Sequence, residues 1–473
     1  MATISSNPAM QDLKITFQES TLVFPSQETV TRSLFLSNID QILNYSIPTV
    51  FFFSANPDYP PQVVCKRLKL AVEKVLVPYD FMAGRLKLNQ ESGRLEIDCN
   101  AAGAGFVVAS SEFSLDELGD LVCPNLAFQQ LAVQTLDNPP ANKDNQPLFI
   151  LQVTSFKCGG FAIGMCVNHI LLDGLSARTF NENLASQAFD DKPFAAVPCL
   201  NRSLLAARSP PLVEFSHPEF FIPKNLPNSG PPVFDCKKEE LVSKIFKLSS
   251  SDIAFLKNKA TPPLAAETNA TAPARISSFN VAAALIWRCK ALSYDDDCNK
   301  DRVSTLLNVV DLRSRLNPPL PPSYCGNAVL VAYSSAECGN IEKGPFSKLV
   351  EMVSEAPKRI TNAYVKSVID WLEMSKGIPC GEYMVSSWLR LGFEQVEYPW
   401  GKPVHSGPLV NHRKDICWVF PAVDGINALV SLPPKEMERF ESQFHNFFAK
   451  IRGILDDHEE EKDMDGSVQL GVA

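Results

Sequence analysis

The sequence lacks most of the spacings by which catalytic machinery is recognised. Its thirteen cysteines stand singly between Cys65 and Cys417, with no C-x-x-C pair. An odd number of isolated thiols argues against a disulfide framework, so a reducing, cytoplasmic setting is expected. The six histidines (His169, His217, His405, His412, His445 and His458) show no ligand spacing, and no metal site is expected from them. No G-x-S-x-G elbow, Walker A loop or G-x-G-x-x-G stretch occurs. Lysine and arginine form no long cluster and the net charge is −9, which argues against a nucleic-acid partner. Apolar runs such as "IPTVFFFSA" fall short of a membrane span, and the N-terminus has no basic-then-apolar signal pattern.

What is present is enough apolar sequence to build large cores. Apolar residues make up 45 % of 473 residues and charged residues 21 %. At roughly 100–200 residues per domain the chain should hold two domains, or three. Proline density from Lys192 to Asp235 rules out a helix or central strand there and marks an extended crossover. The expected division is an N-terminal domain at 1–195, the crossover at 196–235, a C-terminal domain at 236–455 and an acidic, disordered tail at 456–473.

Both halves mix strands and helices. "YPPQVVCKRLKLAVEKVLVPY" spaces Val64, Leu68, Leu70, Ala71 and Val75 as one helix face. "PLFILQVTSF", "KCGG" and "FAIGMCVNH" predict two strands and a glycine turn. "LVSKIFKLSSSDIAFLKNKA" predicts a strand, a serine cap and a helix. "SSFNVAAALIWRCKALS" predicts a helix, and "VSTLLNVVDLRSRL" a buried strand.

The stretch "VNHILLDGLSARTF" raises the functional question. Alternation puts Phe161, Ile163, Met165 and Val167 on one strand face, and His169 continues it. Asp173 falls just ahead of a helical pattern. Taken alone, this is a histidine at a strand end and an aspartate N-cap. The alternative is that His169 is a catalytic base with Asp173 part of the same machinery, and the pattern alone does not decide. Cys166 lies on the opposite face, so it is expected to be a core residue and not a partner of His169.

"NHILLDG" resembles the H-x-x-x-D-G motif of the plant BAHD acyl-CoA-dependent acyltransferases. Other stretches agree in order: "LSNIDQ", "YDFMAGRL", "VVDLRSRLNPPLPPSYCGNA" and "SSWLRLGFEQVEYPWGKP". The similarity covers almost the whole chain and is greatest to the subgroup of GLAUCE-type and coniferyl-alcohol-acyltransferase-like proteins. One departure stands out. The family's D-F-G-W-G signature reads Glu397-Tyr398-Pro399-Trp400-Gly401 here.

The resemblance implies two chloramphenicol-acetyltransferase-like α/β domains. Each has a mixed sheet flanked by helices, and a channel runs between them. A segment near 380–405 would complete the first domain. It implies His169 as general base, Asp173 as structural support paired with Arg313 (Arg315 as the alternative), and Gly174 as the turn into the helix. It implies Trp400, otherwise a core aromatic, as a donor to the oxyanion, with Gly401 structural beside it. For CoA it implies Ser277, Ser278, Lys257, Lys259, Arg288, Ser386 and Ser387. No permanently bound cofactor is implied. Acyl-CoA is the co-substrate, with an aromatic or hydroxycinnamoyl group as the favoured donor and a small alcohol or amine as acceptor. A monomer is implied. Two other readings are a catalytically silent partner protein of lipid elongation, and a thioesterase with water as acceptor.

Overall fold

The computed structural model describes residues 3–5, 12–123, 125–136, 145–222, 240–261, 276–294, 300–409 and 413–451. Two mixed sheets organise them. The first has six strands, in the order His405–Pro408, Ser46–Phe53, Phe161–Asn168, Phe149–Ser155, Ala104–Ser111, Ile15–Val23. Its one parallel pairing joins Ala104–Ser111 to Phe149–Ser155. The second has seven strands: Thr3–Ser5, Val242–Leu248, Ile426–Leu432, Ile416–Pro421, Tyr383–Ser387, Val303–Asp311, Val329–Glu337. Tyr383–Ser387 runs parallel to both its neighbours. The expected α/β class is therefore observed.

Local chemistry explains the element ends. Ser249 and Asp252 form a reciprocal capping box at the start of helix Ser250–Ala260. Helix Pro61–Val75 begins with proline, whose missing N–H costs nothing in a first turn. It buries Val64, Leu68, Ala71, Val72 and Val75. Leu70, expected on that face, is instead exposed, and Val72 takes its place. Helices Pro61–Val75 and Gly174–Ala188 pack against Phe51, Phe53, Phe161 and Ile163 of the first sheet. Helices Ser278–Ala291 and Pro434–Ile451 cover one face of the second.

The chain does not divide as simply as 1–195 and 236–455. Thr3–Ser5 pairs with Val242–Leu248, in the second sheet. His405–Pro408 pairs with Ser46–Phe53, in the first. The strand that completes the first sheet thus lies at the far edge of the expected 380–405 segment, and Tyr383–Ser387 within that segment is central to the second sheet. The described part of the crossover, residues 196–222, has no regular structure beyond a short 3-10 turn at Arg202–Leu205 and a two-residue strand, Phe220–Phe221. Its residues 223–235 and the tail at 456–473 lie outside the described residues. Among the described residues no helix is long and apolar enough to cross a membrane.

Candidate active site

A cavity of about 1190 Å³ lies between the two sheets. Met165, Val167 and His169 line it from the first sheet, as their alternation requires. Val309, Asp311, Met384, Ser386, Ile416 and Trp418 line it from the second. These share one face, because register pairs Ser386 with Trp418 and Met384 with Ile416. Cys166 faces away and packs with Val107, Leu136 and Ile150.

His169 follows its strand directly and is held at both ends. Its backbone N–H donates to Tyr45 O at 2.7 Å. Its ring lies 5.4 Å from the Tyr45 ring. Its Nδ1 lies 3.0 Å from Asn327 Oδ1. The Asn327 amide cannot be reversed. Its Nδ2 donates to Asp40 Oδ1 and to His169 O, both at 2.8 Å, and neither can donate in return. Asn327 Oδ1 therefore accepts from Nδ1–H, and the lone pair of the imidazole is on Nε2. Burial pulls the His169 pKa below the ordinary histidine value, outweighing the Asn327 hydrogen bond and the charges of Asp173 and Asp40. The ring is accordingly neutral near pH 7.

Asp40 is itself neutralised. Arg202, from the crossover, lies 3.3 Å from Asp40 Oδ1, and both side chains are fully buried. Arg202 also donates to Ile170 O at 3.0 Å and Leu171 O at 2.5 Å, the loop between His169 and Asp173. Asp40 and Asn327 fall inside stretches that carry the family resemblance, which could have marked them. Arg202 had no such signal.

Asp173 combines both expected roles. It caps helix Gly174–Ala188, accepting from Ser176 N at 2.9 Å. It also accepts from Arg313 Nη2 at 2.9 Å and Ala328 N at 3.0 Å. Arg313 is braced further by Asp311 at 2.7 Å. Burial opposes the guanidinium charge, but Asp173 and Asp311 outweigh it and raise the Arg313 pKa. Arg315 is not the partner; it donates to Pro357 O and Ile360 O.

Gly174 serves a different purpose from the one expected. It has no left-handed backbone. A Cβ there would meet Leu391 Cδ1 at 2.8 Å and Cδ2 at 2.9 Å, so a larger residue must push the Leu391 tip aside.

Trp400 is not on the cavity wall. It stacks on Tyr398 at 5.1 Å and meets Phe53 and Phe161 edge-on at 6.2 and 6.0 Å. Its position is that of a core aromatic and not of an oxyanion donor. The altered signature is a tight turn. Gly401 N donates to Tyr398 O at 2.9 Å, and Gly401 takes φ +112°. Pro399 occupies the second position of this turn, where its fixed φ is favoured.

Of the residues expected at CoA, Ser277, Ser278, Ser386 and Ser387 line the cavity. Ser277 caps helix Ser278–Ala291, accepting from Asn280 N at 3.0 Å. Lys257, Lys259 and Arg288 do not line it. Lys259 lies over Phe255. Arg288, at the other end of its helix, donates to Glu342 O at 3.3 Å and covers Phe447. The arginines that do line the cavity are Arg390, which is exposed, and Arg413, which pairs with Asp415.

The sequence profile described as the Transferase family matches residues 13–447. The chain belongs to the BAHD acyltransferases. It is 51 % identical to Acyltransferase GLAUCE of Arabidopsis thaliana, covering 92 % of this chain and 97 % of that protein. It is 32 % identical to the omega-hydroxypalmitate O-feruloyl transferase of A. thaliana, over 91 % of this chain and 93 % of that one. Identity to the shikimate O-hydroxycinnamoyltransferase of Nicotiana tabacum is also 32 %, over 92 % and 100 %. In fold it resembles vinorine synthase (TM-score 0.69, 22 % identity, 90 % of this chain and 96 % of that one). It also resembles F. sporotrichioides TRI101 complexed with coenzyme A and T-2 (TM-score 0.70, 17 % identity, 87 % and 97 %). The protein is thus an acyltransferase with the two-domain α/β fold expected from its motifs.

Proposed function

We propose that this acyltransferase moves an aromatic, hydroxycinnamoyl-type acyl group from CoA to an alcohol, with His169 as general base in a ternary complex. The observation that carries the proposal is the Asn327 amide, whose bonds to Asp40 and His169 O leave Nε2 as the basic nitrogen on the cavity wall. The donor preference follows relatives whose names include feruloyl and hydroxycinnamoyl transfer.

An alcohol is a poor nucleophile until its proton leaves. Nε2 takes that proton as the alcohol oxygen bonds to the thioester carbon. The tetrahedral adduct then expels the CoA sulfur, and the imidazolium returns the proton to the thiolate. The His169 charge thus changes only within the cycle, and no covalent enzyme intermediate is required. The four serines that line the cavity, Ser277, Ser278, Ser386 and Ser387, suit the polar pantetheine arm. Exposed Arg390 on the cavity lining offers a positive charge for phosphate.

The test is acceptor-dependent release of CoA thiol, with product mass detected, over a matrix of acyl-CoAs and alcohols. His169→Ala should lower kcat by about 10²–10⁴-fold. Release without an acceptor would indicate a thioesterase. No turnover by wild type, or an unaffected variant, would overturn the proposal in favour of a silent partner protein.

A further inference from the structure

We propose that Trp388 and Trp418 form an aromatic corner on the cavity wall that takes an oxygenated aromatic ring of a substrate, carried either by the acyl donor or by the alcohol. This deepens the preceding proposal and rests on its reading that both substrates meet in this cavity.

Backbone geometry builds the corner. Alternation along Tyr383–Ser387 turns Met384 and Ser386 to the cavity, and Trp388 follows with the same parity. The chain stays paired as far as Trp388, whose N–H donates to Val419 O at 2.7 Å. On the neighbouring strand Trp418 is the register partner of Ser386, so it stands on the same face. The two indole centroids lie 6.4 Å apart, with the rings tilted by 53°. Phe393 extends the row, 5.5 Å from Trp388 and edge-on to it. All three rings line the cavity.

A ring laid against two mutually tilted indoles can stack on one while it meets the other edge-on, the two arrangements that aromatic pairs prefer. A saturated group of the same size gains buried area there but neither of these contacts. The corner therefore favours an aromatic ring over an aliphatic one.

Hydrogen bonding adds the preference for ring oxygens. A core tryptophan commonly satisfies its N–H, as Trp287 does by donating to Ser304 Oγ at 2.9 Å. The indole N–H groups of Trp388 and Trp418 have no partner among the described residues, yet, unlike that of Trp400, they are not sealed from solvent. Indole Nε1–H is a donor only, so it waits for an acceptor. A phenolic or methoxy oxygen on the bound ring supplies one, and an unsubstituted ring does not.

The experiment measures binding by calorimetry of the full chain, beside turnover, with two matched series. The donor series is para-hydroxycinnamoyl-CoA, cinnamoyl-CoA and cyclohexylpropanoyl-CoA, with free CoA as reference. The acceptor series is para-hydroxyphenylpropanol, phenylpropanol and cyclohexylpropanol. In one series the aromatic ring should tighten binding about 2–10-fold over its saturated counterpart. The hydroxyl should add about 2–10-fold again. The series that responds identifies which substrate carries the ring. Trp388→Leu and Trp418→Leu should each reduce the advantage of the ring and leave the affinity for free CoA unchanged. Trp388→Phe and Trp418→Phe, which also serve if a leucine variant does not fold, should keep the advantage of the ring, and at least one should lose that of the hydroxyl. Equal binding within both series would overturn the corner, as would an advantage that survives all four variants. An equal loss for every ligand, free CoA included, would also overturn it and reduce the indoles to packing. Tryptophan-dependent binding with no turnover would count against His169 catalysis and leave the corner standing.

Discussion

Asn327 Oδ1 sits 3.0 Å from His169 Nδ1, and Asn327 Nδ2 is committed to Asp40. A residue from the second half of the chain thereby sets the tautomer of a histidine carried by the first. Asn327→Leu removes the acceptor while leaving Asp40 paired with Arg202. We expect kcat to fall about 10–10²-fold, part of the 10²–10⁴-fold a general base supplies, with KM for acyl-CoA unchanged.

The pH profile separates that effect from simple damage. Burial lowers the His169 pKa, so the base stays neutral at pH 7 and activity falls only below the ordinary histidine value near 6.5. The Asn327 hydrogen bond works the other way, favouring the charged ring. Its loss in Asn327→Leu should move the acid limb lower still. An acid limb at its wild-type position with proportionate loss of folded protein would reduce Asn327 to a packing role.

Asp173 and Arg313 lock the loop that carries His169, and each half supplies one partner. Their side chains are 2 % and 12 % exposed. Asp173→Ala strands a buried guanidinium and removes a helix cap, so stability should fall by roughly 3–5 kcal/mol. Activity and folded yield should fall together, read by chemical denaturation beside the CoA-release assay. A fully stable variant that had lost its acid limb would contradict the structural role.

Trp400 gives a sharper contrast. Set among Phe53, Phe161 and Tyr398, it should tolerate Trp400→Phe with kcat within about twofold of wild type, whereas Trp400→Ala should cost about 3–5 kcal/mol. An oxyanion donor behaves differently, since its removal costs about 10²–10³-fold in kcat. Such a loss in a stable Trp400→Phe protein would identify Trp400 as an oxyanion donor.

Periodic features were legible in the sequence because periodicity is local. The alternation through Phe161, Ile163, Met165 and Val167 placed His169 on the correct face, and capping chemistry placed the helix start at Asp173. What remained hidden depends on which way a side chain turns in three dimensions. Leu70 and Val72 are equally apolar, yet only Val72 is buried. A tryptophan after a proline looks the same whether it faces a cavity or a core. Arg202 reads as one arginine in a proline-rich connector, and its tie to Asp40 exists only once the crossover has folded back. Lys257, Lys259 and Arg288 carry the charge that CoA needs but do not line the cavity, while Arg390 on the wall falls inside the "SSWLRLGF" stretch, whose resemblance could have marked it.

Gly174 offers the last test, because two physical accounts of it predict opposite results. If a special backbone conformation were required, no change elsewhere could relieve Gly174→Ala. The close approach of Leu391 predicts relief. The added Cβ would force the flexible Leu391 tip aside, at the low end of overpacking costs, about 1 kcal/mol. Leu391 is also tied down, since Arg178 Nη1 donates to its carbonyl at 2.7 Å. Its displacement should disturb Arg390 and Trp388 on the cavity wall and raise KM for acyl-CoA. Adding Leu391→Ala makes room for the new methyl group. The double variant should recover more than half of the stability lost in Gly174→Ala, measured against Leu391→Ala alone. Strict additivity of the two losses would mean that the glycine is needed for its backbone after all.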